Sequence, residues 1–124
     1  MRRSMLFVPG NNPKMMTSCG FFGADAIIFD LEDAVSPDEK DAARLLVKYA
    51  VKNVERCRSE IIVRVNAADT PLFAQDLKTI VPQRPDYIML PKTASRQTVR
   101  DCDAAIGEIE RCCGMEPGTI SLIA

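Results

Sequence analysis

The chain has 124 residues, 47% hydrophobic and 27% charged, with a formal net charge of −1. This ordinary globular balance carries no polyanion-binding footprint, so nucleic acid is not an expected partner, and no apolar run approaches the ~20 residues of a membrane span. Histidine is absent and the five cysteines, at 19, 57, 102, 112 and 113, show no C-x-x-C spacing, which sets aside structural zinc, a Cys–His nucleophile and a Ser-His-Asp triad.

The first element is an apolar strand over 4–8, ended by Pro9, Gly10, Asn11 and Asn12. The apolar segment after Met1, Arg2 and Arg3 is too short for a signal-peptide core, and a cytoplasmic location is expected. A short helix follows from Pro13 to Phe22, with Met15 and Met16 expected to pack beside Phe21 and Phe22. The second strand, Ala26 to Phe29, is apolar on both faces and stops abruptly in Asp30, Glu32 and Asp33. A helix is predicted from Pro37 to about Glu55, with Ser36 as N-cap, Glu39 completing a capping box, and Ala42, Leu45, Leu46, Tyr49 and Ala50 as its apolar face. The third strand, 61–63, leads into Arg64 and Asn66, and a helix is predicted over 71–81. The fourth, 87–90, leads into Pro91 and Lys92. A helix from Ser95 to Cys113 then carries Val99, Cys102, Ile106 and Ile109 on one face until Gly114 stops it, and a fifth strand begins at Thr119.

This βαβαβαβαβ order with strands apolar on both faces predicts an α/β fold with a parallel sheet and right-handed crossovers. A doubly wound sheet and a barrel both accommodate it. The barrel is favoured, because residues 9–14 lack the three-glycine dinucleotide fingerprint and because every complete strand hands polar groups to its C-terminal end. A (β/α)8 TIM barrel needs about 250 residues. The chain therefore reads as a single partial domain over 1–124, the N-terminal half of such a barrel, about four and a half βα units, ending within the fifth strand.

Without histidine, acid–base work falls to carboxylates, lysine, tyrosine or water. Three carboxylates at the end of a buried strand need a cation, and a strand-end arginine beside them suits an anionic substrate. Arg64 is expected to hold a carboxylate in bidentate fashion beside a hard metal such as Mg²⁺, with an oxo or hydroxy acid as substrate. Asn12 and Asn66 are turn residues first and ligand contacts second.

The motifs RRSMLFVPGN (2–11), FDLEDAV (29–35), VRVN (63–66) and MLPK (89–92) resemble, in order and along essentially the whole chain, the strand-end motifs of the citrate lyase β and citryl-/malyl-CoA lyase family, within the metal-dependent aldolases. The resemblance implies a TIM-barrel carbon–carbon lyase. It would use Mg²⁺ to cleave a citryl thioester into oxaloacetate and an acetyl thioester carried on CoA or on the prosthetic group of an acyl carrier protein. A malyl-CoA or methylmalyl-CoA lyase, or a non-catalytic remnant that binds a partner, are the alternatives.

Residue by residue, the resemblance implies that Arg64 clamps the oxo-acid carboxylate, with Asn66 and Lys92 beside it, and that Asp30, Glu32 and Asp33 form the catalytic acidic cluster. The aldolase branch carries a histidine where this chain has Asp33, so the thioester-lyase branch fits better. Lys14, with Asn12 and the amides after Gly10 at a helix start, suits a phosphate of the thioester carrier. The two metal ligands of the family are expected beyond Ala124, so the 124 residues alone are expected to be inactive and, with open strand edges, to self-associate. The resemblance also implies an oligomer at full length, working with an acyl carrier protein and other lyase subunits.

Overall fold

The computed structural model describes residues 2–124. Five parallel strands, β1 (Met5–Pro9), β2 (Ala26–Asp30), β3 (Glu60–Arg64), β4 (Tyr87–Met89) and β5 (Ser121–Ile123), lie side by side in chain order. In register, Pro9 faces Asp30, Asp30 faces Arg64, and Arg64 faces Met89. This row of partners is the C-terminal end of the sheet, and it brings the strand-end residues of the sequence together.

Between the strands run α1 (Pro13–Ser18), α2 (Lys40–Asn53), α3 (Leu72–Ile80) and α4 (Arg96–Cys112). α1 starts because the Asn12 carboxamide accepts the Met15 amide at 3.1 Å with Pro13 in the first turn, and α4 starts because Ser95 Oγ accepts the Thr98 amide at 3.1 Å. α4 ends where Gly114 takes a left-handed φ of +70° and the Met115 amide reaches back to the Glu110 carbonyl at 2.8 Å. None of the helices among the described residues is long and apolar enough to cross a membrane.

Period-two alternation sorts the strands into two faces. Val8, Ile27, Phe29, Ile61, Val63 and Ile88 join the main core together with residues from all four helices. Ala26, Ile28 and Ile62, flanked by Tyr87, Met89 and Ile123, form a small second cluster on the other face. The helices thus cover one face only. A doubly wound sheet carries helices on both faces and reverses its strand order at a switch point, and neither feature is present among the described residues.

Three local expectations are corrected. Ser36 does not close a capping box: its hydroxyl lies 2.8 Å from the Glu39 carboxylate instead of accepting a backbone amide, and residues 37–39 form a 3-10 turn that delays α2 to Lys40. Of the expected apolar face of α2, Leu46 and Ala50 pack against the core, whereas Ala42 is exposed and Leu45 and Tyr49 are 55% and 62% exposed; the buried stripe is Ala43, Val47 and Val51. Both tracks have helical spacing. The buried one also carries Arg44, whose partner lies on α3. Finally, only Met16 of the first helix's apolar quartet is buried, because the 3-10 turn Cys19–Phe22 points Phe21 and Phe22 outward.

Two predictions follow from tight points of this frame. A Cβ on Gly20 would sit 1.6 Å from the Glu55 carbonyl oxygen, so Gly20→Ala should force backbone apart and cost about 3 kcal/mol or more in chemical denaturation. At the opposite end of the sheet, the Asp25 carboxylate accepts the amides of Arg3 and Ser4 at 2.7 and 3.0 Å, which with the Arg3 side chain lowers its pKa to about 2. Because the folded value lies below the unfolded one, the unfolded chain takes up the proton first as pH falls. The stabilisation is complete above the ordinary carboxylate range of about 4 and is lost on the way down to about 2. Asp25→Asn should flatten that limb of the acid-unfolding curve and leave the Tm near pH 7 lower than that of the parent.

Candidate active site

β2 is buried along its whole length, so a carboxylate at its last position must find donors within the fold. Asp30 finds four. Its Oδ1 accepts the Glu32 amide at 2.9 Å and Arg64 Nε at 2.8 Å, and its Oδ2 accepts the Ala34 amide at 3.0 Å and Arg64 Nη2 at 2.6 Å. Burial by itself would raise the Asp30 carboxyl pKa, but the guanidinium and the two amides outweigh it and hold it below the usual carboxylate range. The hydrogen bonds that Arg64 donates to Asp30, in turn, raise the Arg64 pKa above that of an ordinary arginine. The two side chains form a permanently charged, bidentate pair.

This pairing comes from register: Asp30 and Arg64 are opposite partners on neighbouring strands, so their side chains leave the same face of the sheet. The Phe7 ring of β1 lies on that face too, its centroid 5.1 Å from the Arg64 guanidinium carbon. Two of the guanidinium's nitrogens are spent on Asp30. The third, Nη1, has the Glu32 carboxylate at 3.7 Å.

Glu32 is almost completely buried, and its Oε1 meets Lys92 Nζ at 2.6 Å. The same ammonium lies 3.2 Å from Asp33 Oδ1. Hydrogen bonds to Glu32 and Asp33 raise the Lys92 pKa. Lys92 holds a left-handed φ of +51°, a conformation that costs a non-glycine residue about 1 kcal/mol and places the loop after β4 where its amine meets both acids. Asp30, Glu32, Asp33, Arg64 and Lys92 therefore form one contiguous ionic cluster at the C-terminal end of the sheet.

The remaining expected residues lie elsewhere. Asn66 is buried and turned toward α3, its amide and its Nδ2 both donating to Asp76 Oδ2 at 2.9 and 2.7 Å. Asn12 acts as the cap of α1, and Lys14 is exposed with no side-chain bond to the cluster. In the loop before α1, Gly10 N–H donates to the Asp30 carbonyl at 2.8 Å and Asn12 N–H to the Pro9 carbonyl at 3.1 Å. Gly10 serves close approach, since a Cβ there would lie 2.6 Å from the Asp30 carbonyl oxygen.

Three charged residues behind the cluster went unassigned in the sequence. Lys40 Nζ donates to the carbonyls of Leu31, at 2.7 Å, and Glu32. Arg44 Nε meets Asp76 Oδ1 at 2.7 Å, which joins α2, α3 and the loop after β3 through Asn66. The signal for Arg44 and Asp76 was present as charges inside the apolar stripes Ala43–Val47 and Phe73–Leu77. A divalent metal does not fit the acids present. Asp30 is held by Arg64, Glu32 and Asp33 share Lys92, and Lys40 takes the backbone carbonyls of Leu31 and Glu32, and among the described residues no group of three or more His, Cys, Asp or Glu could hold a metal ion.

With this geometry in place, comparison with known proteins is decisive. The model of the HpcH/HpaI aldolase/citrate lyase family matches residues 3–124. The chain belongs to that family. It is 45% identical over all 124 residues to a citrate lyase subunit beta of Leuconostoc mesenteroides, spanning 41% of that protein. It is 36% identical over 115 residues to an L-malyl-CoA/beta-methylmalyl-CoA lyase of Cereibacter sphaeroides, spanning 36% of it. Among solved structures, a Mycobacterium tuberculosis CitE complexed with magnesium, acetoacetate and coenzyme A superposes with a TM-score of 0.68 at 30% identity, covering 82% of this chain and 38% of that one. A citrate lyase beta subunit from M. tuberculosis, complexed with oxaloacetate and magnesium, gives 0.66 at 26% identity, covering 95% and 55%. The chain thus spans about two fifths of the length of the curated citrate lyase relatives it matches.

Asp30→Asn tests the central pair. The substitution turns an NH2 group toward donors and leaves Arg64 without its counter-charge, and breaking a buried pair costs about 3–5 kcal/mol. Arg64 keeps 22% of its side chain in solvent, so about 3 kcal/mol is expected in urea denaturation.

Proposed function

We propose that this chain forms the Arg64-bearing part of a carbon–carbon lyase of the citrate lyase β type, cleaving a citryl thioester into oxaloacetate and an acetyl thioester carried by CoA or an acyl carrier protein. The observation that carries the reading is the Arg64 guanidinium. Asp30 locks it by two parallel bonds, Phe7 lies against its face, and Nη1 remains as the nitrogen not bonded to Asp30. A fixed, always-charged fork with donors to spare suits the planar carboxylate of an oxo acid. The higher identity to citrate lyase beta than to malyl-CoA lyase supports citryl over malyl as substrate.

In this reading Asp30 is an aligner of Arg64 and not a proton carrier, since its depressed pKa keeps it ionised at neutral pH. Lys92 holds Glu32 and Asp33, and with Arg64 it supplies positive potential where the oxo acid's charge lies. Mg²⁺, bound by the M. tuberculosis relatives, is proposed to take its ligands from residues outside the 124, because the acids here are already engaged by Arg64 and Lys92. We also propose that the sheet is the first half of a (β/α)8 barrel. Sequential strand order, helices on one face, and Met5 and Phe7 left 52% and 45% exposed on the other support that placement.

At full natural length, Arg64→Ala should lower kcat/KM for citryl thioester by at least a hundredfold, about 3 kcal/mol or more. Arg64→Lys, which keeps the charge beside Asp30 but loses the fork, should fall nearly as far while remaining folded. Lys48→Ala on α2 should stay within about 0.5 kcal/mol of the parent. Equal kcat/KM for Arg64→Lys and Lys48→Ala would defeat the carboxylate assignment, and preference for malyl over citryl thioester in the parent would defeat the substrate.

A further inference from the structure

Lys40 stands where a lysine is electrostatically out of place. It opens α2, at the end where a helix carries partial positive charge and favours acids. Its side chain is partly desolvated, and burial lowers its pKa even though Asp30, Glu32, Asp76 and Asp33 all pull the other way. Two costs accepted at one residue call for a compensating contact. That contact is the pair of carbonyls of Leu31 and Glu32, both of which accept from Nζ.

Those carbonyls belong to the turn that carries the cluster's carboxylates. Elsewhere in the same turn, the Leu31 amide donates to the Arg64 carbonyl at 2.9 Å, and the amides of Glu32, Asp33 and Ala34 donate to the side chains of Asp30, Glu32 and Asp30 respectively. Amides facing carboxylates leave carbonyls facing the other way; the Glu32 carbonyl accepts the Val35 amide at 3.2 Å, the Leu31 carbonyl has no such amide among the described residues, and a cation reaching both carbonyls offsets their mutual repulsion. Lys40 is that cation. We infer that Lys40 is a positioning residue, whose ammonium sets the Leu31–Glu32 turn and so keeps Asp30 under Arg64 and Glu32 between Arg64 and Lys92. Its effect on the substrate rests on the oxo-acid reading above, whereas its effect on the turn does not.

The test uses the protein at its full natural length, with Lys40→Met, Lys40→Arg and the parent compared by amide hydrogen exchange and by titration with oxaloacetate. In Lys40→Met, exchange at Glu32, Asp33 and Ala34 should accelerate about tenfold while Val47 and Val51 of α2 stay as in the parent, and the Kd for oxaloacetate should rise about tenfold. Lys40→Arg, which can donate to two carbonyls, should bring both quantities back to within about threefold. Unchanged exchange at 32–34, or acceleration spread equally to Val47 and Val51, overturns the inference, as does altered exchange with an unchanged Kd. A parent that does not bind oxaloacetate sinks the substrate reading, and the exchange measurements still decide the role of Lys40.

Discussion

The fold's functional end depends on one buried ion pair, Asp30 with Arg64. Each carboxylate oxygen of Asp30 accepts one backbone amide and one guanidinium nitrogen, which satisfies the acid completely and is the condition under which a buried pair is tolerated. The amides come from the turn after β2 and the guanidinium from the end of β3. A single side chain thereby dictates both the path of an acidic loop and the aim of a strand-end arginine.

Helix starts and helix interiors supply the support for this pair. Gly10 closes the β1 loop onto the Asp30 carbonyl, and Asn11 Nδ2 donates to Glu39 at 2.8 Å, which ties that loop to the lead-in of α2. Asp76 on α3 receives Arg44 from α2 and Asn66 from the loop after β3. Its position two residues beyond Arg64 makes Asn66 a splice between the core helices and the strand that carries Arg64. At the far side of the sheet, buried Glu110 accepts the amides of Gly118 and Ile120, each at 2.7 Å, and so fixes where β5 begins. Buried polar side chains thus act as joints between elements that apolar packing would leave free to slide.

What the sequence made legible follows from which interactions are local. Strand cores, the helix starts near Pro13 and Ser95 and the stop at Gly114 are read from neighbours a few residues apart, and they hold. The inward arc of α2 was read in part: Leu46 and Ala50 do pack against the core, but Ala42, Leu45 and Tyr49 have helical spacing too and face outward, while Ala43, Val47 and Val51 are buried. The pairing of Arg44 with Asp76, 32 positions away, lies on the buried arc and is not local in sequence. In the same way, Arg64 and the acids of residues 30–33 could be named as strand-end residues, but parallel register was needed to put Asp30 opposite Arg64. The turn residues were the least legible. Asn66 turns to Asp76 and the Gly10 amide to the Asp30 carbonyl, choices made by partners that lie on other strands and helices.

The balance of charge at the sheet's end explains how a cluster of three acids can favour an anion. Were the carboxylates unpaired, an oxo acid arriving there would be repelled and a metal would be drawn in. Instead Lys92 takes Glu32 and Asp33, Lys40 takes the carbonyls behind them, and Asp30 is consumed by Arg64. The acids then serve to hold cations in place, and a cation held in a partly buried site needs no reorganisation when an anion arrives. Arg64 would meet its ligand with Nη1, the nitrogen that Asp30 leaves over, 3.7 Å from Glu32. In the proposed reading Glu32 tunes anion affinity: pulled toward Lys92 it leaves Nη1 open, and pulled toward Arg64 it competes for it.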